Sequence, residues 1–209
     1  MHLTPQIIRE KLSQPLPGLE SHLKLAPESR ASEIKEYNEG KKTAKKSAVM
    51  ILLFHENEEL KIVFIRRSFY VGIHAGQIAF PGGRFEESDI SILNTAFREI
   101  EEEIGISKDK IELLGRLTDI YVPPSNFLIS IFVGYLPFRP EYKIDEREVA
   151  EVIELRVQDF FNEDVIDEKE FHVPSTEKSV RALYYKVGNA DVWGASAMVM
   201  TEFLDVLKK

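Results

Sequence analysis

Apolar positions along the chain follow two periods. A continuous apolar run marks Ser47 to Phe54 as a buried strand, and Leu60 to Arg66 reads as its partner across the polar turn His55-Glu56-Asn57-Glu58. Gln77–Phe80, Ile111–Thr118, Phe127–Tyr135 and Ala150–Leu155 read as further strands. Pro123-Pro124-Ser125-Asn126 is a loop, a short helix follows near Val157–Phe161, and Phe171–Val173 with Arg181–Val187 form a hairpin. The helical period appears in Leu93, Ala96, Phe97, Ile100 and Ile104, on a helix from about Ile90 to Ile104 that Gly105 ends. Thr4 caps a first helix with Pro5 at its start, and that helix stops before Pro15-Leu16-Pro17-Gly18. Asp191 caps a last helix to about Leu207, with Trp193, Ala197, Met200, Leu204 and Leu207 on one face. The charged stretch from Ala26 to Lys46 reads as irregular.

This order predicts an α/β (α+β) fold with a mixed central sheet covered on both faces. Residues 1–42 form a helical and irregular arm, and residues 43–209 form the main domain.

Composition narrows the function classes. Of 209 residues, 44% are hydrophobic and 30% charged, ordinary for a globular protein, and the net charge is −8. That sign disfavours nucleic acid and anionic membrane as partners. The absence of cysteine excludes disulfides, thiolate-held zinc and a thiol nucleophile. Met1–Pro5 lacks the apolar run of a signal peptide, and the chain ends Leu207-Lys208-Lys209 rather than in a peroxisomal address. A cytoplasmic setting is the expectation.

The motif helix carries the candidate chemistry. Glu99, Glu102 and Glu103 project from it within little more than one turn, opposite the apolar stripe. Like charges at this spacing cost about 0.2–0.5 kcal/mol per pair, and a hard divalent cation such as Mg²⁺ offsets that repulsion. Arg66 and Arg67 end a strand just before the glycine turn and suit bidentate phosphate contacts; His74 lies in the intervening loop. Lys41, Lys42, Lys45 and Lys46 add positive charge ahead of the first strand. No serine triad and no dinucleotide-binding glycine spacing is readable.

The segment from Gly83 to Ile106 resembles the Nudix box, G-x5-E-x7-R-E-U-x-E-E-x-G-U. Arg98-Glu99-Ile100, Glu102-Glu103 and Gly105-Ile106 match its second half at every specified position. Its first half departs: Asp89 stands for the first Glu, with eight residues rather than seven before Arg98. Upstream, Arg67-Ser68, His74, Gly76-Gln77-Ile78 and Phe80-Pro81-Gly82-Gly83 are similar to the signature of coenzyme A pyrophosphatases, with Val71 for a leucine and Gly72 for the second arginine. Leu16-Pro17-Gly18 and Asp191–Ala197 are similar to the same subfamily.

The resemblance implies a Nudix-like α/β/α sandwich and a Mg²⁺- or Mn²⁺-dependent hydrolase that cuts the diphosphate of CoA or acyl-CoA. It implies Glu99, Glu102 and Glu103 as metal ligands, with Gly82 or Gly83 as a carbonyl donor. Glu102 is the first choice for the base that activates water, with Glu148 or Glu151 outside the box as alternatives. Arg98 orients the carboxylates, and Arg67, Arg66 and His74 are the substrate contacts, Arg67 first. Partners are a nucleotide substrate and a second copy in a homodimer. Another nucleoside diphosphate derivative such as ADP-ribose, or a silent nucleotide-binding domain, stand as alternatives.

Overall fold

A computed structural model describes residues 3–38, 44–68, 76–173 and 178–209. Three helices open the chain: α1 (Pro5–Leu12), α2 (Leu19–Lys24) and α3 (Glu28–Asn38). Thr4 caps α1 as expected, its hydroxyl accepting from the Ile7 N–H at 3.3 Å. Strands β1 (Lys45–Glu56) and β2 (Glu59–Arg67) form the expected hairpin, with Asn57 and Glu58 both at positive φ, the pairing that suits a tight two-residue turn.

β1 is the axis of an eight-stranded mixed sheet. The short strands β3 (Ile78–Ala79) and β4 (Gly82–Arg84) pair with β2 and with the first half of β1. Helix α4 (Ile92–Ile104) follows, then β5 (Glu112–Arg116), β6 (Ile120–Val122) and β7 (Phe127–Leu136). β7 runs parallel to β1 from Lys45↔Phe127 to Phe54↔Leu136, and β5 and β6 pair with β7. β8 (Val149–Arg156) pairs with β2.

Strand alternation sorts the core into two layers. Met50, Leu52, Phe54, Val63 and Ile65 face α4, packing with Ala96, Ile100 and Ile104. Ile51, Leu53, Ile62 and Phe64 face the other way, into a cluster shared with the N-terminal helices through Ile8, Leu12 and Ile34. That cluster also holds Ala197, Met200, Phe203 and Leu204 of the last helix, α5 (Gly194–Lys208). A second sheet, β9 (Ile166–Val173), β10 (Lys178–Val187) and β11 (Ala190–Trp193), precedes α5.

The chain's two ends are joined by a buried carboxylate. Glu202 on α5 is fully buried and accepts the Gly18 N–H at 3.1 Å and the Thr118 hydroxyl at 2.6 Å. It also meets His22 Nε2 at 2.8 Å. Such a group is tolerated inside a protein because its oxygens are bonded.

Two expectations are corrected. The stretch Ala26–Lys46 is not irregular: α3 occupies Glu28–Asn38, with Ile34 buried, and Lys45 and Lys46 already belong to β1. Most α3 side chains are polar, so the sequence gives little helical period. The last helix starts at Gly194 and not at Asp191. Asp191 and Trp193 are strand residues, paired with Lys186 and Tyr184 of β10, and Gly194 at φ 61° makes the break.

Candidate active site

The glycine turn and the motif helix meet at contact distance. Gly82 pairs with Val49 of β1 at φ 148°, and a Cβ there would stand 2.2 Å from the Ala48 carbonyl oxygen. A Cβ on Gly83 would stand 2.4 Å from the Glu99 carboxyl carbon. Glycine at 82 lets the turn lie against β1, and glycine at 83 lets it lie against the Glu99 side chain of the helix.

That approach buries carboxylate. Glu103 is fully buried, and its Oε2 accepts the Gly82 N–H at 2.9 Å. Its Oε1 accepts no hydrogen bond and faces Arg67 Nη1 at 3.5 Å. Burial pushes the Glu103 carboxyl up to about 8, against the opposing pull of Arg67 and the Gly82 N–H. Burial also raises Glu99, with Arg98 pulling the other way.

A third carboxylate arrives from outside the motif. Lys143 and Asp145 donate their N–H groups to the Ile104 and Glu103 carbonyls, docking the segment before β8 on the C-terminal end of α4. Gly105, left-handed at φ 74°, makes room for Lys143 there. Glu148 is thereby delivered to Glu99 and Glu103, and carboxylate oxygens of the three lie within 4.8 Å of one another. A buried oxygen without a hydrogen bond, beside two further carboxylates, is a donor set that fits a hard divalent cation. Glu99, Glu103 and Glu148 are the residues that would hold it.

Arg98 ties the remaining acids together. Its Nε donates to Asp89 Oδ1 at 2.7 Å, Nη2 to Asp89 Oδ2 at 3.2 Å and to the Arg84 carbonyl at 3.0 Å. Nη1 reaches Glu99 Oε1 at 2.9 Å and Glu102 Oε2 at 2.8 Å. Asp89 is buried and also accepts from Thr95 and the Glu86 N–H. These contacts, the Arg98 bonds foremost, hold the Asp89 carboxyl down at about 2. The extra residue of the motif is absorbed at Ile90, with φ 65° and ψ −42°, where the Ser91 N–H meets the Asp89 carbonyl at 2.6 Å. This is a classic-type γ-turn, a strained conformation that here presents an exposed side chain.

The structure thus brings Glu99, Glu103, Arg98 and Arg67 together and adds Glu148. Glu102 is about half exposed and turns to Arg98 instead of joining the three-carboxylate group. Arg66 pairs across strands with Glu151, Nε to Oε2 at 3.1 Å. His74 and Gly72, with Lys41 and Lys42, lie outside the described residues.

A cleft of about 350 Å³ opens beside the glycine turn. Gly82, Gly83 and Arg67 form one part of its wall, and Phe127, Ile129 and Trp193 supply apolar surface. Trp193, read from sequence as a core residue of a helix, stacks on Phe171 with centroids 4.4 Å apart and 9° between planes, and is only partly buried. Arg30 of α3 also reaches the cleft; no sequence signal marked it, because α3 itself was hidden.

Comparison with known proteins agrees with this architecture. Residues 44–183 match the family model described as NUDIX domain. Over 158 residues the chain is 28% identical to proteins named uncharacterized Nudix hydrolase NudL in Yersinia pestis and Yersinia pseudotuberculosis, spanning 76% of this chain and 77% of theirs. Among solved structures, the MutT/nudix family protein from Enterococcus faecalis superposes with a TM-score of 0.54 at 17% identity, covering 85% of this chain and 70% of that one. The MutT protein from Methanosarcina mazei Go1 gives 0.53 at 18% identity, covering 81% and 98%. Those two likenesses concern the fold. With the family match spanning the central sheet, the motif helix and the three carboxylates, the chain belongs to the NUDIX domain family and is one of its hydrolases.

Proposed function

We propose that the protein is a divalent-metal-dependent pyrophosphatase that cuts the diphosphate of CoA or acyl-CoA into adenosine 3′,5′-bisphosphate and (acyl-)4′-phosphopantetheine. The observation that carries the reading is Glu103 Oε1, a buried oxygen without a hydrogen bond beside Glu99 and Glu148. Bound there, Mg²⁺ or Mn²⁺ would neutralise diphosphate charge and acidify water.

The chain's own groups do the rest. Gly82 fixes Glu103 through its N–H, and Arg98 fixes Glu99. Arg67 lines the cleft next to Glu103 and orients a diphosphate oxygen. Glu102, with Oε2 held by Arg98, keeps Oε1 for a water and acts as its base. The water oxygen bonds to one phosphorus, the bridging oxygen leaves with the other phosphoryl group, and the proton passes to Glu102. Glu148 is the alternative base; Glu151 is engaged by Arg66.

Two segments of the CoA-type signature support this substrate by their position. Phe80, Gly82 and Gly83 of the first and Trp193–Ser196 of the second line the same cleft. A cytoplasmic setting and a homodimer belong to the same reading. Mass-spectrometric product analysis with CoA, acetyl-CoA, ADP-ribose and dNTPs in Mg²⁺ and Mn²⁺ is the test. Adenosine 3′,5′-bisphosphate from CoA, at the highest kcat/KM of the set, is the expected result. A clear preference for ADP-ribose or a dNTP overturns the CoA assignment.

A further inference from the structure

The cleft beside the glycine turn has a charge that the protein as a whole does not. The chain carries a net charge of −8, yet the cleft wall contains Arg30, Arg67 and Arg84 and no Asp or Glu among the described residues. The rest of the wall is mainly apolar, with Val122, Phe127, Ile129 and Trp193. Such a wall fits a ligand with a flat or aliphatic body and anionic ends.

The three arginines differ in what they face. Arg67 stands against Glu103 at 3.5 Å. Arg84 is exposed on the glycine turn, and its carbonyl is held by Arg98. Arg30 comes from another layer, on α3, which rests on β6 through the stack of Tyr37 on Tyr121 at 4.1 Å. Its guanidinium makes no hydrogen bond or ion pair with any described residue. It is partly buried, its pKa is lowered by that burial, and Glu33 one turn along the helix opposes the shift only through its field. A partly desolvated guanidinium with no partner among the described residues, at the wall of this cleft, is placed to take an anion.

We infer that Arg30 reads a phosphate monoester on the nucleoside half of the substrate, separate from the diphosphate that is cut. This rests on the CoA reading, in which that group is the 3′-phosphate. Arg67 and the metal-holding carboxylates account for the diphosphate, so a third phosphate needs its own cation. The arginine that the CoA-type signature carries before the glycine turn is Gly72 in this chain. Arg30, from outside residues 44–183, brings a positive charge to the cleft from α3. It is a specificity residue and leaves the cleavage step to the carboxylates.

The test compares kcat/KM for CoA and dephospho-CoA in the full chain, in wild type, Arg30→Gln and Arg30→Lys. Calorimetry of adenosine 3′,5′-bisphosphate against AMP, without metal, reads the same contact without turnover. The wild type is expected to favour CoA and the bisphosphate. Arg30→Gln should shrink both preferences about tenfold to a hundredfold, the size of one charge-assisted contact, and Arg30→Lys should restore part of them. Cleavage of both substrates with the same ratio in wild type and Arg30→Gln overturns the role of Arg30 and leaves the CoA reading standing. Equal binding of the bisphosphate and AMP by the wild type overturns it without any variant. Cleavage of neither substrate overturns the CoA reading itself, and the role of Arg30 with it.

Discussion

Asp89 and Arg98 meet through two parallel hydrogen bonds, Nε to Oδ1 at 2.7 Å and Nη2 to Oδ2 at 3.2 Å. The shorter side chain at the first acidic position of the motif therefore still reaches the arginine. The Asp89 carboxyl is held at about 2, below its ordinary value of 3.8. A depressed carboxylate stabilises the fold above its unfolded pKa and loses that contribution as pH falls through its folded one. Wild type should lose about 2 kcal/mol between about pH 4 and pH 2 from this group. Urea unfolding across that range should show the gap between wild type and Asp89→Asn closing as pH drops. A constant gap would place the stabilisation elsewhere.

Ile90 pays for that reach with backbone strain. It sits at φ 65° and ψ −42° with 88% of its surface exposed, so its side chain offers little in return. Ile90→Gly removes a strain of roughly 1–3 kcal/mol and adds roughly 0.4–1 kcal/mol of unfolded-state entropy. A net gain of about 1 kcal/mol, read as a higher Tm, is expected. A lower Tm would mean that the turn is unstrained.

If Glu103 holds the cation as proposed, it couples metal binding to pH. Its carboxyl is raised to about 8, so the folded metal-free protein holds a proton there that the unfolded chain has released. Stability should fall as pH rises from about 4.5 to about 8. Cation binding at pH 7 should release a proton, visible as a buffer-dependent calorimetric heat, and should raise Tm. Glu103→Gln should flatten the pH slope, abolish the Tm rise with Mg²⁺ and lower kcat by orders of magnitude. A folded Glu103→Gln protein with near-normal kcat would remove Glu103 from the site.

The two glycines of the turn should fail in different ways. A Cβ on Gly82 would press on backbone, at 2.2 Å from the Ala48 oxygen and 2.6 Å from the Val49 Cα. Gly82→Ala should destabilise the fold by more than about 2 kcal/mol. The three atoms nearest a Cβ on Gly83 all belong to the end of the Glu99 side chain, which can swing aside. Gly83→Ala should stay folded, within about 1 kcal/mol of wild type, yet bind divalent cation more weakly. Chemical denaturation and metal titration of both variants separate these outcomes. Similar metal affinity in Gly83→Ala and wild type would show that Glu99 does not need its place.

The motif helix was legible because three signals agreed on it: an apolar stripe at helical spacing, a glycine at its end and a cluster of carboxylates. The expected placing of that cluster opposite the core holds for Glu102, which is half exposed, whereas Glu99 and Glu103 are buried with Ala96, Ile100 and Ile104. The reach of Asp89 was not legible, since it depends on a γ-turn at a β-branched residue that local propensity disfavours. From the sequence, Glu148 stands only as one of two alternative bases, and not among the metal ligands. Its place follows from two backbone hydrogen bonds to the end of α4, made 39 and 42 positions along the chain. Trp193 misled because a strand that runs directly into a helix can continue the helical period by chance; pairing with Tyr184 decides its state. α3 was missed because it buries little, and Arg30 was missed with it.

The bond between Gly18 and Glu202 spans 184 positions. During synthesis the N-terminal helices therefore emerge long before the helix that receives them. At about 5–20 residues per second, Gly18 and His22 wait roughly ten seconds or more for their acceptor. Meanwhile the face of β1 and β2 that carries Ile51, Leu53, Ile62 and Phe64 lacks the cover of α5. The wall of the cleft formed by Gly194 to Ser196 exists only once that helix has docked. The residues of the carboxylate cluster, the last of them Glu148, are thus all synthesised before the residues that complete the wall of the cleft.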